Sequence, residues 1–260
     1  MARAARPRHE PALDSPVAID FQPSPNHGER RGDSLDLLIL HYTGMRDGAL
    51  ALARLCDPAA EVSAHYVVLE TGDVRQLVPE SRRAWHAGAG AWAGESDINS
   101  RSIGIELVHP GHDGGLPAYP ASQIEAVVRL ASDIVARWNI LPERVLAHSD
   151  VSPSRKEDPG EGFPWDLLHA AGIGHWARPA PLGEGRVLAP GETGRGVEML
   201  QAMLARYGYG IERTGTYDAA TTAVVTAFQR HFRPALLDGR ADLSTVATLR
   251  ELIRTLPVSA

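Results

Sequence analysis

Between Ala121 and Ile140 the apolar residues Ile124, Val127, Val128, Ala131, Ile134, Val135 and Trp138 recur at spacings of three, one, three, three, one and three. That period lines one side of an α-helix with a continuous apolar stripe, and the stripe has to be covered. Ser122, with Glu125 three residues on, is the expected N-cap of a capping box. The cover is sought in short β-branched runs. Leu35 to Leu40 fits a buried strand that ends in His41-Tyr42-Thr43-Gly44. Ala64–Leu69 and Val74–Val78 flank the turn Thr71-Gly72-Asp73 and read as a hairpin. Ser102–Val108 is a further strand, and Arg144–Ala147 follows a Pro and leads directly into His148. A shorter helix is expected over Gly48–Leu55, before Pro58. The expected class is therefore α/β (α+β), a mixed central β-sheet flanked by helices, with polar groups carried on loops at the strand ends.

The length of 260 residues allows one medium domain and a small one. After Trp176 the composition changes: Pro179, Pro181, Pro190 and several Gly residues read as a linker over 179–192. Beyond it, Val197, Leu200, Gln201 and Leu204, then Thr221 to Phe228, then Leu243 to Ile253, mark three helices of a small, separate unit. The organisation expected is an arm at 1–16, a main domain at 17–178, the linker, and a three-helix domain at 193–257.

With 43% hydrophobic and 22% charged residues, disorder is not expected, and a net charge of -6 sets aside nucleic acid and anionic membranes as partners. Cys56, in an apolar run, is the only cysteine, which excludes an intrachain disulfide and a thiolate metal cluster. No run approaches the roughly 18 apolar residues of a membrane span, and no apolar segment follows the basic N-terminus as a secretory signal requires. The compartment stays open between the cytoplasm and the cell envelope.

Chemistry concentrates in Ala147-His148-Ser149-Asp150 through Arg155-Lys156-Glu157-Asp158-Pro159-Gly160. His148 and Asp158 lie ten residues apart across a loop rich in Ser and Pro, and a pair like this more often caps or hydrogen-bonds than binds metal. Imidazole nitrogen and carboxylate oxygen are nevertheless ordinary zinc donors, and a catalytic zinc needs three protein ligands. His41, at a strand end, is the natural third. Glu106 alternates with Ile103, Ile105 and Leu107 in a strand that otherwise looks buried, a costly place for an idle carboxylate. Beside a metal it can take a proton from water and pass it to a leaving amine. Lys156 then stands as the cation for the oxyanion of an attacked carbonyl. The set suits metal-assisted amide hydrolysis. The other histidines receive plainer readings: His65 as a buried support of the site, His109 and His112 as solvent-facing loop residues, and His27, His169, His175 and His231 as unrelated to the metal.

At this point the chain resembles a known family. His41-Tyr42-Thr43, Ser63-Ala64-His65-Tyr66, Arg83-Ala84-Trp85-His86-Ala87-Gly88, Ser102-Ile103-Gly104-Ile105-Glu106 and Arg155-Lys156-Glu157-Asp158-Pro159-Gly160 stand in the order found in zinc-dependent N-acetylmuramoyl-L-alanine amidases of the amidase-2 type, which share their fold with peptidoglycan recognition proteins. Phe163-Pro164-Trp165 and Ala171 to Trp176 extend the likeness. The resemblance implies one zinc ion on His41, His148 and Asp158, Glu106 as base, Lys156 at the tetrahedral intermediate, and Trp85, His86 and Ala87 beside the substrate groove. It implies cleavage of the amide between N-acetylmuramic acid and L-alanine of peptidoglycan or muropeptides, for wall turnover or recycling. The segments Gly194–Gln201, Gly215-Thr216-Tyr217-Asp218 and Ala227-Phe228-Gln229-Arg230 resemble a peptidoglycan-binding domain. The expected partner is a peptidoglycan or muropeptide substrate, and the chain is expected to act as a monomer. The competing expectation is a recognition protein that binds muropeptide without cleaving it.

Overall fold

The computed structural model describes residues 13–256. Most of the expected arm, and the last residue assigned to the helical domain, lie outside them. The described end of the arm is docked: Leu13 packs on the core, Ser15 is fully buried, and the Asp14 amide donates to Gln76 Oε1 at 2.9 Å.

In chain order the elements begin β1 (Asp20–Phe21), β2 (His27–Gly28), β3 (Leu37–Tyr42), α1 (Gly48–Cys56), β4 (Tyr66–Val68), β5 (Val74–Gln76) and β6 (Arg83–Ala84). They continue with α2 (Ile98–Arg101), β7 (Ser102–Leu107), α3 (Ala121–Trp138), β8 (Val145–Ala147), α4 (His148–Val151) and α5 (Trp165–Ala170). Three helices close the chain: α6 (Arg195–Tyr207), α7 (Ala219–Phe232) and α8 (Leu243–Thr255). Among the described residues no helix is long and apolar enough to cross a membrane.

Six strands form one mixed sheet in the order β1-β5-β4-β7-β3-β8, and β4–β5 is its antiparallel pair, the hairpin expected from the sequence. β3 lies parallel between β7 and β8, so the carboxyl ends of three strands open on the same edge. Ligands in parallel α/β sheets bind at that edge.

The two faces of the sheet are covered differently. Leu38, Leu40, Ile103 and Ile105 turn towards α3, whose Val127, Leu130 and Ile134 are fully buried against them. Leu130→Ala at this contact costs about 2–5 kcal/mol, because the cavity left behind cannot close. The start of α3 differs from expectation. Pro120 precedes the first turn and Ser122 makes no cap; its Oγ donates instead to Glu70 O at 2.7 Å, tying the helix to the β4–β5 turn. Trp138, expected on the stripe, stands at the helix end with its indole N–H donating to Glu80 Oε2 at 2.6 Å.

The alternate side chains Leu37, Ile39 and Leu146 face the other way, into a core they share with Leu204, Phe228 and Leu249 of the closing helices. Trp92 joins the two parts, packing edge-on against Tyr209 at 4.9 Å. Gly208, at φ 139°, leaves room for that indole: a Cβ there would come within 2.5 Å of it. The composition break suggests a separate three-helix body, but the helices are integral to the second core. The Pro-rich segment is held down too, through Ser244 Oγ donating to Ala180 O at 2.6 Å and Leu188 pairing with Ala241.

Candidate metal centre and active site

β3 and β7 run in register with His41 beside Glu106, and Leu40 beside Ala147 places His148 next in line. Strand alternation turns His41 and Glu106 to the same face. The loop after α4 then returns Asp158, where the Ser149 amide donates to its carbonyl at 3.1 Å. Residues separated by more than a hundred positions thus meet: His41 Nδ1 lies 2.9 Å from His148 Nδ1 and 3.0 Å from Asp158 Oδ2, and His148 Nδ1 lies 2.9 Å from the same oxygen. All three side chains are buried and could hold a metal ion.

The surrounding hydrogen bonds determine which atoms carry protons. Ser102 Oγ spends its only proton on Ile98 O at 2.7 Å, so it accepts from His86 Nε2 at 3.0 Å. His86 Nδ1 is then bare and accepts from His41 Nε2 at 3.0 Å, which leaves His41 Nδ1 without a proton. In the neutral imidazole, the form that binds a metal, His148 Nε2 donates to Ala87 O at 2.9 Å and its Nδ1 is bare in the same way. Three acceptor atoms therefore point at one another, an arrangement that needs a cation between them. Two neutral imidazoles and a carboxylate are the donor set of a catalytic zinc with one open position, and each imidazole is oriented through its far nitrogen as metal-binding histidines are. The residues fit the metal.

Burial, and after it the neighbouring His148, lower the His41 imidazole to about 4. Burial would raise the Asp158 carboxyl, but His148 and His41 outweigh it and hold the group well below the usual carboxylate range. The opposite happens at Glu106: burial first and the Asp158 charge second push its carboxyl up to about 8, against Lys156. Its Oε2 is buried with no hydrogen-bond partner among the described residues. Glu106, Lys156, His148 and Asp158 line one cleft of about 290 Å³ with Tyr42 and Trp85.

Of the residues expected beside the groove, Trp85 and His86 line that cleft. Ala87 is buried behind it, and its carbonyl receives both His148 and the Arg155 guanidinium, the latter at 3.0 Å. The His86 ring packs directly on β7, where a Cβ on Gly104 would fall 2.5 Å from it. That explains a glycine in the middle of a buried strand. His65 is fully buried as expected, accepting from the Gly104 amide at 3.0 Å. His109 is not solvent-facing: it is 2% exposed, stacks on Tyr119 at 4.1 Å and donates to Pro117 O at 2.8 Å. A loop of Gly and Pro reads as exposed, and nothing local announces the ring that covers it. His112 is half-buried between Tyr42 Oη and Glu161 Oε2. Sequence reasoning also passed over Asp150 in α4, and over Tyr209 and Arg230, which with His231, read from the sequence as unrelated to the metal, reach this loop from the helical domain.

Residues 31–161 match the family model for N-acetylmuramoyl-L-alanine amidases, and residues 193–249 match a model for peptidoglycan-binding domains. The chain is 41% identical over 232 residues to the N-acetylmuramoyl-L-alanine amidase AmiD of Escherichia coli, covering 84% of this chain and 82% of that protein. It is similar in structure to E. coli AmiD in complex with anhydro-N-acetylmuramic acid-L-Ala-D-gamma-Glu-L-Lys, with a TM-score of 0.74 and 37% identity over 87% of this chain and 92% of that one. AmpDh3 of Pseudomonas aeruginosa in complex with anhydromuramic pentapeptide superposes with a TM-score of 0.71 at 32% identity, covering 87% of this chain and 94% of that one. With the amidase model spanning half of its length and a relative matched along most of theirs, this chain belongs to the N-acetylmuramoyl-L-alanine amidase family.

Proposed function

We propose that the chain is a zinc-dependent N-acetylmuramoyl-L-alanine amidase that cuts the bond between the lactyl group of N-acetylmuramic acid and the L-alanine of the stem peptide. His41, His148 and Asp158 hold one zinc ion. The observation that carries this is the convergence of three proton-free acceptors within 3.0 Å, opposite a carboxylate with an unpartnered oxygen. When bound, zinc supplies Lewis-acid polarisation of the scissile carbonyl and acidifies a water molecule.

The remaining work falls to side chains. Glu106 takes the proton of the attacking water and hands it to the departing alanine nitrogen, which must be protonated to leave. Its raised proton affinity suits a group that must hold the proton between those two moments. Lys156, half-buried on the cleft wall, neutralises the oxyanion as the carbonyl becomes tetrahedral. His86 and the Ala87 carbonyl keep the two imidazoles in the tautomer that presents Nδ1. Trp85 forms the wall against which the sugar or peptide rests.

We assign 17–178 to catalysis and 193–257 to holding the glycan, with 179–192 joining them. Two relatives are seen with anhydro-muropeptides, which supports soluble recycling fragments as substrates, while the peptidoglycan-binding helices support the intact wall. Parallel digestion of purified sacculi and of an anhydro-muropeptide, with and without a zinc chelator, tests the reading by mass spectrometry. Chelator-sensitive release of peptides beginning at L-alanine, lost in Glu106→Gln, is expected. Tight binding with no released peptide from either substrate would replace the amidase with a recognition protein.

A further inference from the structure

The helical domain does more than sit beside the catalytic domain. Asp150 follows His148 by two residues in the one-turn helix α4, and it is fully buried. Its Oδ2 accepts from the Ala147 amide at 2.8 Å and from His231 Nδ1 at 2.7 Å, and its Oδ1 accepts from Tyr209 Oη at 2.7 Å. Tyr209 and His231 both come from the helical domain. The His231 ring is fixed in turn between Trp165 and Phe232, 3.7 Å from each. At the other end of the same loop, Arg230 reaches Glu157 and Glu161 at 3.4 Å, on either side of Asp158. Arg230 is itself 8% exposed, and Glu161 is held from the opposite side by His112 at 3.0 Å.

Consecutive residues of α7 therefore grip the two ends of the segment that carries two of the three metal donors. An interface that only buried apolar surface would need neither contact. Trp92, Tyr207 and Phe228 already fill it. A buried carboxylate with three donors aimed at it has one geometry, and that geometry sets the pitch of α4 and hence the direction of His148 Nδ1.

We infer that Tyr209, Arg230 and His231 are positioning residues for the metal centre, so that the helical domain is a structural component of the active site as well as a binding module. The inference rests on the zinc reading given above, and zinc affinity tests it apart from activity. The full-length chain, Tyr209→Phe, His231→Gln and Arg230→Met are titrated with zinc against a chromophoric chelator. Folding is followed by circular dichroism and Tm, and kcat and KM are measured on an anhydro-muropeptide. Leu249→Ala, in the helical core away from the loop, is the control for lost stability alone.

Tyr209→Phe and His231→Gln are expected to bind zinc up to about tenfold more weakly with native spectra, the low end of the scale for direct outer partners of metal ligands, because they act one residue further out through Asp150. Arg230→Met shifts affinity in the same direction, Arg230→Lys restores part of it, and Leu249→Ala lowers Tm without moving it. Affinity in Tyr209→Phe and His231→Gln that equals the parent's, or falls no further than in Leu249→Ala, would reduce the helical domain to an anchor. Should His231→Gln not fold, Tyr209→Phe, which removes one oxygen atom, decides alone. A parent that binds zinc yet releases no peptide overturns the amidase and leaves this inference standing, whereas a parent that takes up no zinc overturns both.

Discussion

Two buried clusters of the same residue types lie within one short loop of each other, and they do opposite things. Around Asp150, the His231 imidazole, the Tyr209 hydroxyl and the Ala147 amide all donate, so every proton has an oxygen to go to. Around Asp158, two bare imidazole nitrogens and a carboxylate oxygen face each other, and the sum is short of positive charge. Burial, residue type and distance hardly separate the two. The direction of each hydrogen bond does, because an acceptor buried against an acceptor is stable only when a cation comes between them.

Four results would sharpen or break that contrast, and the largest concerns Asp158. Asp158→Asn should abolish zinc uptake, followed by equilibrium titration, and with it amide hydrolysis. A variant that still takes up zinc as the parent does would make the cluster a structural network like its neighbour.

Glu106→Gln should lower kcat about 10²–10⁴-fold, the range for removing a general base, with zinc affinity retained by equilibrium titration. The same substitution has a pH-dependent effect on stability. The Glu106 carboxyl holds its proton to about 8 in the folded chain, so as pH rises from about 4.5 towards 8 the unfolded chain gains by ionising first. Metal-free Glu106→Gln should therefore melt higher than the parent at pH 8 and about equally at pH 4.5, as calorimetry at the two values would reveal.

Asp150→Ala takes the partner from a satisfied cluster and should cost about 3–5 kcal/mol, the scale for breaking one side of a buried pair. Urea unfolding measures it, and a cost below about 1 kcal/mol, no more than a typical exposed ion pair contributes, would remove the basis of the contrast.

The smallest effect is an acid one. Burial lowers His41 to about 4 and His65 to about 3, so between about 6.5 and 4 the unfolded chain binds protons that the folded chain refuses. The metal-free protein should lose stability steadily as pH falls through that window. Replacing His65 with Gln should flatten the slope, followed by urea midpoints at pH 7 and pH 5.

Much of the candidate site is legible in the sequence. His41 ends an apolar run, Glu106 interrupts one, and His148 and Asp158 bracket a turn-rich loop, so each carries a local signal of its own. The sheet, the hairpin and the three closing helices were legible for the same reason, as hydrophobic period is a property of neighbours in the chain. Ser122 shows the limit. Its position satisfies the capping pattern, yet a carbonyl from another element offers its hydroxyl a better partner.

What the sequence by itself determined is the inventory: which segments are strands and helices, which carboxylate is misplaced in an apolar strand, and which imidazoles stand at strand ends. Tertiary structure alone decided which groups donate and which accept. The bare Nδ1 of His41 depends on a relay through His86 and Ser102 to Ile98 O, and the full satisfaction of Asp150 depends on Tyr209 and His231 from a domain that composition marks as separate. Hydrogen-bond direction is set by contacts between residues far apart in the chain, and no local pattern of amino acids encodes them.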